Sequence, residues 1–202
     1  MGRESYYAFI GTNSVRGSRG IYTLRIDAET GIAKIMSTAP AYNTGCLALS
    51  QDGGNLYAAA EGMTFDGYAD GGVMAFRVNQ DGSLHRLNGQ RSYGQRTCCV
   101  AVDREKKNVY ACNFYKGTWS AYALQENGAL SPARLVVAPP EASAWKALHC
   151  IGTIEEDYVG VISLAECALV VYRGDTGVRV TSFSFPHNPF PRYFAAVDDT
   201  IY

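Results

Sequence analysis

The 202 residues are 47% apolar and 18% charged, a balance that describes a folded globular chain and argues against disorder. The formal net charge is −1 and no basic block extends beyond the run from Arg104 to Lys107, so neither nucleic acid nor an anionic membrane is an expected partner. The N-terminus lacks the apolar core of a signal peptide and no apolar run nears the roughly 18 residues of a membrane span, so the chain is expected to be cytoplasmic, with its six cysteines reduced.

Along the chain, hairpin signals fall at Thr30-Gly31, Asp81-Gly82, Asn127-Gly128 and Thr176-Gly177, about 50 residues apart. Each follows an alternating strand: Ile21 to Ile26, Val73 to Val78, Thr118 to Leu124, Ala168 to Tyr172. A tight turn needs positive φ, and glycine supplies it at least steric cost. A second register runs through the sequence. The segments beginning C-L-A-L at Cys46, C-V-A-V at Cys99, H-C-I-G at His149 and Y-F-A-A at Tyr193 align without gaps. In the first three, a polar turn leads to another apolar strand: Asn55 to Glu61, Lys107 to Asn113, Tyr158 to Leu164.

The unit is therefore four strands, A to D, in about 50 residues, which is the signature of a β-propeller blade. No segment carries a sustained helical period, so the fold class is all-β, a propeller of four-stranded antiparallel blades. One blade cannot bury both faces alone, and radial stacking hides them. Strand A, nearest the axis, should be rich in small residues, as Ala48, Ala101, Gly152, Ala195 and Ala196 are. The phase begins in a B strand (Tyr6 to Thr12) and ends past a fourth A strand at Val197, with Thr200 to Tyr202 entering the next B. Residues 1–202 read as a single, partial propeller domain. Either the last A strand pairs with the first B strand in a four-bladed ring, or the ring has further blades.

Several motifs in order give the chain a family resemblance. Asn43 to Glu61, N-T-G-C-L-A-L-S-Q-D-G-G-N-L-Y-A-A-A-E, resembles the N-P-S-x-L-A-x-S-x-D-G-x-x-L-Y-A-x-x-E of the lactonase-type propellers, the bacterial 6-phosphogluconolactonase family with its related fungal carboxymuconate cyclase. Cys98 to Asn113 is similar to that family's P-C-H-V-x-V-D…A-N-Y, Leu148-His149-Cys150 to its inner His motif, and Pro191-Arg192-Tyr193 to its G-P-R-H. The resemblance implies a seven-bladed ring of about 340 residues at roughly 50 per blade, of which this chain supplies little more than half. It also implies a functional Glu past Tyr202 and an Arg later still. This chain carries Cys99 and Tyr193 where the family pattern has His.

Strands A and B are antiparallel neighbours, so the start of A and the end of B share one rim. That places Cys46, Cys99, His149 and Tyr193 beside Glu61, Asn113 and Ser163 at one channel mouth, the default site of such a fold. Hydrolysing a lactone, the implied activity in carbohydrate metabolism, needs a base to activate water and a cationic anchor for an anionic substrate. His149 is the expected base because an imidazole titrates near neutrality. Arg192 is the expected anchor, since its planar fork matches phosphate or carboxylate. Glu61, Asn113, Cys99 and Tyr193 are expected to line the substrate. Trp119 and Trp145 are expected to pack between blades, with a place lining the mouth, near Lys146 and His149, as the alternative for Trp145. No cofactor is expected, and no metal either: zinc wants four ligands, and equivalent positions on separate blades are expected to stand too far apart. The expected partner is a small anionic lactone. A non-catalytic binding propeller, an inactive fragment and a muconate-type cyclase are the alternatives, with self-association through open blade edges.

Overall fold

The computed structural model describes residues 4–103, 105, 107–139, 147–155, 157–187, 189–197 and 200–202. Trp145, Lys146 and, from the charged turn, Arg104 and Lys106 lie outside the described residues. Among the described residues all regular structure is β-strand, in five antiparallel sheets. The first sheet holds β1 (Ser5–Ile10), β2 (Gly20–Asp27) and β3 (Ala33–Pro40). The second holds β4 (Leu47–Leu49), β5 (Asn55–Ala60), β6 (Gly72–Val78) and β7 (Leu84–Arg91). The third holds β8 (Gln95–Val102), β9 (Asn108–Tyr115), β10 (Trp119–Leu124) and β11 (Leu130–Val137). The fourth holds β12 (Leu148–Glu155), β13 (Tyr158–Ser163), β14 (Ala168–Arg173) and β15 (Arg179–Ser184). Last comes the pair β16 (Ala196–Val197) and β17 (Thr200–Ile201).

These sheets are the blades read from the sequence, in the expected phase: β1 to β3 are the B, C and D strands of the first blade. The four C–D turns carry Gly31, Gly82, Gly128 and Gly177 at φ of 70°, 77°, 85° and 70°. Side chains close three of these turns: Asp27 Oδ1 accepts the Thr30 amide at 2.8 Å, Asp81 Oδ1 the Ser83 amide at 2.9 Å and Asn127 Oδ1 the Ala129 amide at 2.9 Å. The four-bladed closure is not formed. β16 pairs with its own successor, Ala196 opposite Ile201, while β1 pairs with β2 alone among the described strands. The described blades form an open arc.

The core lies between blades, and strand periodicity explains it. Along β5, Leu56, Ala58 and Ala60 pack with Ile21 and Ala39 of the first blade, while Tyr57 and Ala59 pack with Val100, Val109 and Ala111 of the third. Along β9, Val109 and Ala111 face the second blade, and Tyr110 and Cys112 face the fourth. Successive side chains point to opposite faces, so each inner strand serves two interfaces at once. Trp119 is buried at such a joint, its ring 5.4 Å from that of Tyr172 in the next blade. On the far face of the fourth blade, Phe194 lies over the facing pair Gly152 and Gly160, where a Cβ on Gly160 would come within 2.7 Å of the ring.

Candidate functional site

His149 owes its orientation to a β-bulge. Leu148 pairs with Ser163 and Cys150 with Ile162, so His149 is one extra residue on β12. The same irregularity recurs in β8, where Thr97 pairs with Asn113 and Cys99 with Cys112, leaving Cys98 as the extra residue. Bulges re-aim side chains and gather next to functional sites. By cross-strand pairing, His149 is thus level with Cys98, and Cys99 with Cys150. This corrects the gapless alignment, which set Cys99 level with His149. Cys98 and Cys99 are adjacent and identical in type, so composition offered no way to choose between them, and a slip of one residue changes the face.

His149 is only 7% exposed. Its Nδ1 lies 2.9 Å from the carbonyl oxygen of Arg192. A carbonyl only accepts, so Nδ1 carries a proton, and in the neutral ring the lone pair sits on Nε2. Two rings stand edge-on to the imidazole: Tyr193 at 5.0 Å between centroids and Phe114 at 6.5 Å. The segment Pro191-Arg192-Tyr193 therefore supplies both the carbonyl that fixes the tautomer and one of the two aromatic walls. The Arg192 side chain itself is exposed, and among the described residues no carboxylate pairs with it.

Glu61 follows β5 directly and is held by a residue the sequence reading missed. Arg96 donates to Glu61 Oε1 from Nε at 3.1 Å and also from Nη2. Its guanidinium lies over the Phe114 ring at 5.3 Å and the Tyr115 ring at 5.5 Å. The hydrogen bond to Glu61 holds Arg96 above its ordinary value. Arg96 takes φ of 55°, and its amide donates to the Gly62 carbonyl at 2.9 Å. The only sequence signal for it was a cation just ahead of the repeated inner strand. Glu61, Arg96, Phe114, His149 and Tyr193 form a continuous line along the rim.

The remaining two expected residues lie below that surface. Asn113 is 0% exposed. Its Oδ1 accepts from Ser92 Oγ at 2.7 Å and Thr97 Oγ1 at 2.9 Å, and its Nδ2 donates to the Ser92 carbonyl at 2.9 Å and Thr118 Oγ1 at 2.8 Å. Its bonding capacity is spent inside the protein, pinning the loop before β8 to the turn before β10. Cys99 is buried with its Sγ 3.7 Å from Cys46 Sγ and 3.9 Å from Cys150 Sγ. Neighbouring inner strands thus approach more closely than the sequence reading allowed. The sulfurs form a ladder, and among the described residues no three His, Cys, Asp or Glu side chains group to hold a metal ion.

A groove of about 800 Å³ opens at the opposite rim, between the third and fourth blades. Asp103, Tyr110, Arg134, Asp157, Tyr158 and Asp175 line it. The Arg134 guanidinium is taken up by Asn108 Oδ1 and the carbonyls of Gly174 and Asp175. Lys107 lines the groove as well, and among the described residues the lining holds no histidine or thiol, so the groove offers little for catalysis.

A family model described as "Lactonase, 7-bladed beta-propeller" matches residues 7–197. The 6-phosphogluconolactonase of Bacillus subtilis (strain 168) is 30% identical over 200 residues, covering 94% of this chain and 56% of that protein. An uncharacterized protein of Lactococcus lactis subsp. cremoris (strain MG1363) is 26% identical, over 89% of this chain and 56% of its own length. The chain thus spans little more than half the length of these curated relatives. Among solved structures, a protein from Bacteroides fragilis NCTC 9343 superposes with a TM-score of 0.82 at 24% identity, over 95% of this chain and 58% of its own. The periplasmic gluconolactonase of Pseudomonas aeruginosa gives 0.85 at 17% identity, over 96% and 59%. At these identities the superpositions establish the fold. The chain belongs to the lactonase family of seven-bladed β-propellers.

Proposed function

We propose that these blades form part of a single-domain propeller hydrolase of sugar-acid lactones, with 6-phosphogluconolactone as substrate, acting at the rim where His149 and Arg192 meet. The observation that carries this reading is the locked imidazole: its Nδ1–H is bound to the Arg192 carbonyl at 2.9 Å, which leaves Nε2 as the base. The Bacillus subtilis relative bears the name of that activity. Water adds to the lactone carbonyl while His149 Nε2 takes its proton. The ring C–O bond then breaks, and the imidazolium returns the proton to the leaving alkoxide. Arg192 holds the substrate's phosphate or carboxylate through its paired donors. The Glu61–Arg96 ion pair and the Tyr193 ring line the approach.

A second reading is a non-catalytic propeller that binds a small anion. It is favoured by Asn113 and Cys99, which are closed within the fold and leave the rim with fewer polar groups than a substrate-positioning set would have. One experiment separates the two. The purified chain is incubated with 6-phosphoglucono-δ-lactone and neutral δ-lactones while acid release is followed. A rate above spontaneous opening, greater for the phosphorylated lactone, supports hydrolysis. Saturable binding of 6-phosphogluconate with no added rate supports the binding module and overturns hydrolysis for this chain.

A further inference from the structure

A ladder of sulfur atoms crosses three blades directly beneath the rim. Cys46, just before β4, is half-buried, while Cys99 in β8 and Cys150 in β12 are buried, and none is in a disulfide. Their strands repeat at the same height: Cys46 O accepts the amide of Ala59, Cys99 lies opposite Cys112, and Cys150 opposite Ile162. The Sγ atoms consequently meet at 3.7 Å between Cys46 and Cys99 and at 3.9 Å between Cys99 and Cys150.

The thiols differ in what their sulfurs touch. Cys46 Sγ receives the Val100 N–H at 3.4 Å, a donor that favours a thiolate, with the Val100 carbonyl oxygen farther off at 3.8 Å. Cys98 Sγ instead faces carbonyl oxygens, Leu148 O at 3.3 Å and Cys112 O at 3.6 Å, and Cys167 Sγ faces Leu164 O at 3.6 Å. Carbonyls only accept, so they favour the protonated thiol. The Cys99 hydrogen bond, working against burial and aided by Val100, brings the Cys46 thiol below its ordinary value. Cys99 is pushed up by its hydrogen bonds to Cys112, Cys150 and Cys46 and by burial. A partly exposed, low-lying thiol beside a second thiol is the arrangement of an oxidant-sensing pair.

We propose that Cys46 is an oxidant-sensitive thiol and Cys99 its resolving partner, closing a reversible Cys46–Cys99 disulfide that ties the second blade to the third. The oxidant is hydrogen peroxide. The Cys46 thiolate attacks one peroxide oxygen, the O–O bond breaks, and the hydroxide released leaves as water after taking a proton, giving a sulfenic acid. Cys99 sulfur then attacks Cys46 sulfur, the S–O bond breaks, and the Cys99 proton leaves with the hydroxide as a second water. Two thiols are oxidised and one peroxide reduced. Closure shortens the 3.7 Å sulfur separation to about 2.05 Å.

The test is peptide mapping of the reduced, purified chain after graded peroxide, with remaining thiols blocked and no reductant added. The expected result is a monomer lighter by two hydrogen atoms, holding a cross-linked Cys46–Cys99 peptide pair that dithiothreitol releases. In Cys99→Ser, a sulfenic-acid-trapping dione should label Cys46. The proposal is overturned if Cys46 and Cys99 both carry the blocking group while other thiols oxidise, or if the cross-link joins Cys99 to Cys150 or two chains. The mapping of the unsubstituted chain decides the matter even where Cys99→Ser does not fold.

Discussion

At His149, Asn113 and Tyr57, hydrogen bonds decide what the side chain does. The Arg192 carbonyl fixes the proton of His149 on Nδ1, whereas four bonds make Asn113 a brace. Asn113→Ala would strand buried partners at Ser92, Thr97 and Thr118, and should cost about 1–3 kcal/mol in urea unfolding, with the slope unchanged. An unchanged midpoint would show that the brace is dispensable. Tyr57 Oη donates to the Gly128 carbonyl at 3.1 Å, and burial, then Asp52 and Asp103, push its phenol up from 10.0 to about 12. The folded state therefore keeps a proton that the unfolded chain gives up. That contribution is complete below pH 10 and is lost as pH rises towards 12, so stability should fall across this window. Tyr57→Phe should make the fall shallower in alkaline melts, and Tyr110 and Tyr122, raised in the same direction by burial, should sustain what slope remains.

The strands were the most legible part of the sequence because glycine and alternation are local signals. Gly31, Gly82, Gly128 and Gly177 each sit at positive φ in the turn they marked, and β4 and β12 start next to Cys46 and His149 as the second repeat expects, whereas β8 starts earlier, at Gln95, and β16 later, at Ala196. What the repeat did not reveal was depth. The bulges at Cys98 and His149 shift the register by one residue, and a bulge depends on what the neighbouring strand pairs with rather than on local composition. Arg96 was hidden for a similar reason: its partner Glu61 belongs to the preceding blade. Joints between blades also depend on backbone approach. Thr44 donates its amide to the Thr12 carbonyl at 3.0 Å, and a Cβ on Gly11 would run into the Thr44 carbonyl. Gly11→Ala should therefore loosen the first blade from the second, costing about 1–3 kcal/mol. Thermal melting with hydrogen exchange resolved to residues 5–40 measures it, and protection equal to that of the unsubstituted chain would contradict the joint.

Across the whole arc, apolar side chains stand exposed on its first and fourth blades. Ile35 and Met36 on β3, and Val180 and Phe183 on β15, are exposed. Open edges and exposed apolar faces favour association, so the chain should sediment as more than a monomer at raised concentration. Phe183→Lys should shift it towards monomer, and a monomer at every concentration would remove association from the account. The rim chemistry makes its own demand on the molecule. Residues 61, 96, 114, 149, 192 and 193 come from separate blades, and only the stacking of blades brings them into line.

The lactonase reading is tested most directly by comparing 6-phosphoglucono-δ-lactone opening by the unsubstituted chain and by His149→Gln, with folding checked by circular dichroism. A rate above spontaneous opening that drops by about 10²–10⁴-fold in the variant is the predicted result. Equal rates in the two proteins, or none above the spontaneous rate in either, would contradict the claim that this rim hydrolyses a lactone through His149.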